Sequence, residues 1–264
     1  MNETPLVEQL SSGKVSGRAQ YQRMFVGRPG WLALLKYELC MSWVAPRPGA
    51  LGFLLRKKLY PKLLASCGRG CLFGRDVLLR SPGNIALGSG VILDDYCVVD
   101  AKGDDSRIEM GSQVLLSRGC VVTCNAATVK FGDFVSIGAY CNFASKSFVE
   151  VGSNTSIGPM SQVIAGGHTF DDPYTPPVKQ KRVALGIKIG SGCWIGAGTL
   201  VMDGAVIEDN CVIGAGAVVK GRVPAFSVAV GTPAKVLYDR REKAKAAQTE
   251  AVMSANGAVA RPQA

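Results

Sequence analysis

The chain of 264 residues contains a single histidine, His168, in the run Val163-Ile164-Ala165-Gly166-Gly167-His168-Thr169-Phe170. A free imidazole has a pKa of about 6.5 and is largely neutral near pH 7. Held in place it can take the proton of an attacking hydroxyl or amine, an effect of typically ~10²–10⁴-fold. A histidine beside two glycines can equally do no more than satisfy a turn. Asp171 and Asp172 follow closely and either orient the ring, contact a substrate or stand solvated. Cys67 and Cys71 have the spacing of half a zinc site, but no second cluster of Cys or His completes it, so no metal is expected.

The elements that must position His168 are set by a period of six. From Ile189, aliphatic residues recur at Ile195, Val201, Ile207, Ile213 and Val219. The fifth place of each hexad is slender: Cys193, Thr199, Ala205, Cys211, Ala217 and Val223. The register returns upstream from Leu87, Met110, Phe131 and Val151, so coil starts fall 23, 21, 20, 38 and 18 residues apart. A helix would place apolar residues at three- and four-residue spacing, whereas a hexad divides into a short strand and a corner. Three hexads make one coil of a β-solenoid whose inward aliphatics are buried only by the next coil. The glycine after many of these aliphatics is expected to serve the turn. The 38-residue interval holds one large insertion, which begins at His168. Cys97, Cys120, Cys141, Cys193 and Cys211 share the slender place and read as buried packing residues.

Outside the repeat, residues 31–66 carry helical patterning, with Leu32, Leu34, Leu35, Leu39 and Trp43, a Pro/Gly break at 46–49, and then Leu51 to Leu64. Two helices are expected to cap the first coil, whose open edge needs cover. Of the net charge of +10, +9 lies in residues 1–80, with Arg56, Lys57, Lys58 and Lys62 set between apolar residues. That cluster would suit an anionic lipid surface, which makes peripheral membrane contact a second reading of the cap. No nucleic-acid motif accompanies it. The start MNETPLVEQL lacks the apolar core of a signal sequence, and no apolar run reaches the roughly 20 residues needed to span a bilayer. Nine cysteines then suit a reducing, cytoplasmic setting. The expected organisation is a basic helical segment at 1–66, a solenoid at 67–238 with an insertion at 169–187, and a charged helix with a disordered tail at 239–264.

The repeat, the Gly-His pair before a loop with Asp171-Asp172-Pro173-Tyr174, the run Ile189-Gly-Ser-Gly-Cys-Trp-Ile-Gly-Ala-Gly, and the closing Val230-Gly-Thr-Pro-Ala-Lys-Val236 together resemble the hexapeptide-repeat acyltransferases. The likeness is to the galactoside, maltose, nodulation-factor and xenobiotic acetyltransferase branch, over residues 85–238. The resemblance implies a left-handed parallel β-helix, a hand that periodicity alone does not give, since crossovers are right-handed in about 98% of cases. It implies acetyl-CoA or a close relative as donor, a sugar or glycan precursor as acceptor, a homotrimer, and His168 as the base for direct attack on the thioester. By the same resemblance Asn142 contacts the acceptor. Ser145 and Lys146 stand where the galactoside branch has an acceptor-binding carboxylate, which lets Lys146 meet an anionic group instead. The acyl donor is expected in a groove between subunits, with Trp194 at the pantetheine, backbone at Ala197 and Ala215, and Lys220 and Lys235 near its phosphates or adenine. Two alternatives are a non-catalytic scaffold with a vestigial groove, and a metal-dependent carbonic-anhydrase-like solenoid, which one histidine per chain disfavours.

Overall fold

The computed structural model describes residues 16–246 and 248. Strands of two to five residues, each one hexad from the next, turn three corners per coil and pair in parallel with the equivalent strands of neighbouring coils. Three faces result. Face 1 runs from Ser66–Cys67 to Arg222–Val223, face 2 from Leu72–Phe73 to Ser227–Val230, and face 3 from Leu78–Arg80 to Val218–Val219. Leu87, Met110, Phe131, Val151, Ile189 and Ile207 pair in one continuous register, the coil starts read from the periodicity. Seven strands are paired along face 3, and the architecture agrees with the left-handed parallel β-helix that the resemblance implies.

The core is the column of inward aliphatics, with Ile108, Val129, Val149 and Ile187 on face 1 fully buried. The slender fifth places are buried as well, and their polar atoms are satisfied by carbonyls of their own corner or of the next coil. The Thr155 hydroxyl donates to the Gly190 carbonyl at 2.8 Å, that of Thr199 to Gly196 at 2.7 Å, and the Cys141 thiol to Gly158 at 3.1 Å. A larger side chain would fill the space these bonds cross.

The second-place glycines serve a different purpose from the one expected of them. The left-handed backbone sits two residues later, at Gly90, Gln113, Phe134, Asn154, Gly192 and Asn210 on one corner and at Tyr96, Tyr140, Met160 and Gly198 on the next. At the second place the constraint is coil spacing: a Cβ on Gly196 would lie 2.4 Å from the Ala215 nitrogen, and one on Gly158 2.5 Å from that of Ala197. Coils at the ordinary interstrand separation of about 4.8 Å leave no room there for a side chain.

Both ends of the stack are covered. At the start, helix α1 (Gly17–Tyr21) runs into a π-helical turn, α2 (Trp31–Glu38) runs into another at Leu39–Val44, and α3 (Gly49–Leu59) ends in a 3-10 turn at Tyr60–Lys62. Arg56 was expected at the basic surface but is buried. Its guanidinium donates to the carbonyls of Phe73 (3.0 Å), Val44 (3.4 Å), Ala45 (3.3 Å) and Arg47 (2.7 Å), tying the cap to the first coil. The Tyr60 hydroxyl adds a bond to the Val77 carbonyl at 2.9 Å. At the far end Lys235–Asp239 folds back antiparallel on Ser227–Val230 and closes the last exposed edge of face 2. Residues 240–246 are helical, and the tail beyond residue 248 lies outside the described residues.

Candidate active site

His168 leaves the solenoid at the end of the face 3 strand Gln162–Ala165, where Gly166 takes a φ of +133° that an L side chain rarely adopts. Gly167–His168 then pairs antiparallel with Arg182–Val183, placing His168 opposite Arg182, and the Thr169 amide donates to the Lys181 carbonyl at 2.8 Å. The insertion is therefore a hairpin with His168 at its root. Its return is clamped to the next coil by the Asp203 carboxylate, which accepts from the amides of Leu185 and Gly186 at 2.9–3.0 Å.

The ring is half-buried, and its Nδ1 lies 3.4 Å from the Gln180 carbonyl oxygen. A carbonyl can only accept, so this contact selects the tautomer with the proton on Nδ1 and leaves the Nε2 lone pair free to take a proton. Gln180 also holds the hairpin with its side chain, Nε2 donating to the carbonyls of Asp172 (2.8 Å) and Thr175 (2.6 Å). Sequence reading passed over Gln180, because its partners are loop carbonyls that no spacing rule marks. Asp172, one of the carboxylates expected near the ring, turns back on its own loop and accepts from the Tyr174 amide at 2.9 Å. The Thr175 hydroxyl and the Tyr174 amide hold it below the usual carboxylate range. Asp171 is exposed in the same loop.

Cations gather beside the histidine. The Lys146 amide donates to the Ala165 carbonyl at 2.9 Å, and the Lys146 stem covers Gly166, where an added Cβ would lie 3.0 Å from the Lys146 Cβ. Lys102 sits in the same edge column two coils earlier, since Lys102 aligns with Asn125 and the pair Cys124 with Ser145 carries the register to Lys146. Partial burial, then the nearby charges of Arg182 and Lys102, lowers the Lys146 ammonium below its ordinary range. Lys102 has a carboxylate neighbour, Asp100, at 3.9 Å, while among the described residues no ion pair is formed by Lys146 or Arg182. Asn142 lies earlier on the outer side of face 3, where its amide donates to Gln162 Oε1 at 3.2 Å.

The positions expected to hold the acyl donor divide between the two ends of face 3. Trp194 is exposed on face 2, and Ala197 and Ala215 stack one coil apart at the corner from face 2 to face 3, joined through the Gly216 amide and the Ala197 carbonyl at 2.8 Å. Lys235 is beside them, because Ala234 donates to Val218 at 2.8 Å. Lys220 follows Val219 at the opposite end of the face, on the same side as His168. A strand of four residues, roughly 13 Å, separates the two ends, so one chain does not bring Trp194 to His168. A groove of about 610 Å³ on face 1 is lined by Lys130, Glu150, Lys188 and Asp209 and does not include the histidine.

Coils of hexads with slender fifth places, closed at both ends and interrupted by one histidine-bearing hairpin, define a hexapeptide-repeat solenoid. Residues 186–221 match the family described as bacterial transferase hexapeptide (six repeats). A probable acetyltransferase of Mycobacterium tuberculosis is 29% identical over 159 residues, covering 60% of this chain and 51% of that protein. Nodulation protein L of Rhizobium leguminosarum bv. viciae is 39% identical over 110 residues, 41% of this chain and 56% of its own length. A putative lipopolysaccharide biosynthesis O-acetyl transferase of Escherichia coli is 29% identical over 124 residues, 44% of this chain and 62% of its own. The chain spans about half the length of the first curated relatives it matches. Among solved structures, the polysialic-acid-specific acetyltransferase NeuO aligns with a TM-score of 0.54 at 22% identity, over 66% of this chain and 81% of that one. A mutant of AntD, an N-acyltransferase from Bacillus cereus in complex with dTDP and coenzyme A, aligns with a TM-score of 0.50 at 20% identity, over 74% and 94%. These two likenesses establish the fold.

Proposed function

We propose that this chain is an acyl-CoA-dependent acyltransferase, with acetyl-CoA as its donor and a sugar or glycan precursor bearing an anionic group as its acceptor. The observation that carries the reading is the single imidazole at the root of the hairpin, its Nδ1 facing the Gln180 carbonyl and its Nε2 free. Nε2 takes the proton of the acceptor hydroxyl or amine as that atom attacks the thioester carbonyl carbon. The tetrahedral intermediate collapses with cleavage of the C–S bond, and the imidazolium returns its proton to the departing thiolate, so no acyl-enzyme is required.

Its relatives support the reaction class: three bear acetyltransferase names, and AntD was crystallised with coenzyme A. The anionic character of the acceptor follows from Lys146 and Arg182, two cations beside the base that lack carboxylate partners. A homotrimer completes the site, because the His168 end of face 3 in one subunit then faces the Trp194, Ala197 and Ala215 column of its neighbour. The enzyme works in the cytoplasm, where acyl-CoA is available and its nine thiols stay reduced.

The test is acceptor-dependent release of CoA by wild type and His168→Ala. Turnover that falls by about 10²–10⁴ in the variant while CoA binding is retained supports the assignment. Unchanged turnover removes His168 from the chemistry. No CoA binding by a purified trimer turns the reading to a non-catalytic scaffold.

A further inference from the structure

The capping helices carry an apolar surface that the solenoid does not use. On α2 and the π-helical turn after it, Tyr37, Cys40 and Val44 are buried, Cys40 and Val44 in one core with the first coil. Of the apolar pattern read from sequence, Leu32, Leu35, Leu39 and Trp43 face outward and Leu34 is half-buried; with Trp31 beside them, the outward-facing residues form a stripe with exposures of 50–74%. Leu51 and Leu54 of α3 extend it, at 58% and 59% exposed. Scattered exposed leucines are ordinary on a protein surface, but a continuous stripe with tryptophan at both ends is not.

Charge decides what covers it. Between residues 16 and 75 Glu38 is the one acidic side chain, and it is held by the Tyr21 hydroxyl at 2.5 Å and the Ser42 hydroxyl at 3.2 Å. Lys57 and Lys58 are exposed on α3. Beside the stripe, Arg28, Lys36 and Lys62 line a crevice of about 140 Å³ floored by Val26, Tyr37 and Leu63. Two copies of this chain meeting through the stripe would bring like charges together, whereas a surface of lipid phosphates would neutralise them.

We infer that the exposed face of α2 and α3 is an interfacial anchor for an anionic phospholipid bilayer, with a headgroup phosphate in the Arg28, Lys36 and Lys62 crevice. Trp31 and Trp43 lie at the headgroup boundary, and Leu32, Leu35 and Leu39 enter the upper acyl region, as amphipathic helices lying in the membrane plane do. Among the described residues no helix is long and apolar enough to cross a membrane, so this is contact with one leaflet. His168 leaves the fifth strand of face 3, four interstrand steps or about 19 Å from the first coil, and so stands clear of the bilayer. The inference does not depend on the reaction proposed above.

The experiment is sedimentation of the full chain with phosphatidylcholine vesicles with and without 30% phosphatidylglycerol (a composition of about that order mimics an anionic leaflet). Tryptophan emission is followed in a Trp194→Phe background, so that only Trp31 and Trp43 report. The expected result is binding confined to the anionic vesicles, with a blue shift, weakened by 0.5 M salt (about the range in which screening is strong). Lys36→Glu with Lys62→Glu, and separately Leu35→Ser with Leu39→Ser, should each weaken binding by about tenfold or more. These side chains are exposed, so the variants keep wild-type circular dichroism. Equal binding to neutral vesicles, absence of binding, or self-association that Leu35→Ser with Leu39→Ser abolishes while vesicles bind nothing would each overturn the inference. Binding of inorganic phosphate in the crevice without vesicle binding would overturn it as well.

Discussion

Replacing Gly196 by alanine tests whether coil spacing, and not backbone conformation, is what the second-place glycines protect. The new Cβ would lie 2.4 Å from the Ala215 nitrogen and 2.7 Å from its Cα, both backbone atoms that cannot swing aside. Reaching ordinary contact near 3.4 Å requires the two coils to part by about 1 Å. The Gly196 amide to Ile213 carbonyl and the Gly216 amide to Ala197 carbonyl bonds, both 2.8 Å, would then be stretched beyond useful length. Two such bonds at about 1 kcal/mol each, with a further ~1 kcal/mol or more for residual overpacking, give a loss of about 3 kcal/mol. Two neighbours serve as internal controls. Gly198 has a φ of +67° but open space around its Cβ position, so Gly198→Ala should cost about 1 kcal/mol for the left-handed backbone alone. Gly167 has neither constraint, and Gly167→Ala should fall within about 0.5 kcal/mol of wild type. Urea unfolding followed by circular dichroism at one fixed protein concentration ranks the three. If Gly196→Ala costs no more than Gly198→Ala, the steric account is wrong and the glycine serves the turn after all.

Arg56→Met leaves the carbonyls of Phe73, Val44, Ala45 and Arg47 without their shared donor and should lower stability by about 2–4 kcal/mol in thermal unfolding; a loss under about 1 kcal/mol would remove Arg56 as the link between cap and coil. Gln180→Ala removes the side-chain bonds to Asp172 and Thr175, so protease cleavage within 169–181 should quicken and kcat should fall about tenfold, with unchanged global unfolding as the control. Lys146→Ala should raise KM for an anionic acceptor by about tenfold while KM for the acyl donor stays fixed; an equal rise in both would place Lys146 elsewhere in the cycle. The Lys146 ammonium is disfavoured by burial and by the charges of Arg182 and Lys102, so an anion bound there must offset both and raise its pKa, an upward shift readable by NMR of 13C-methylated lysine. A downward shift or none would show that the anion binds away from it.

The coils were legible because a β-solenoid is nearly one-dimensional: a residue's environment depends on its place in the hexad and on the residue one coil away, and both are fixed spacings along the chain. That is why Leu87, Met110 and Phe131, or Cys120 and Cys141, could be assigned inward places from sequence and are found buried. His168 could be singled out in the sequence because no other imidazole competes with it. What sequence could not supply lies wherever contact crosses that one dimension. The Gln180 carbonyl faces the imidazole only after the hairpin has folded back, and the meeting of Lys146, Arg182 and Lys102 depends on register two coils deep. The helical pattern of residues 31–44 marked an apolar stripe correctly, but not which way it turns. The first coil is already covered by Cys40 and Val44 and tied by the buried Arg56, so Trp31, Leu35 and Trp43 are left facing out. Periodicity along the chain determined the solenoid and its core; only the tertiary structure decided which charges meet at the histidine and which hydrophobic face stays open, because both depend on what packs from outside the repeat.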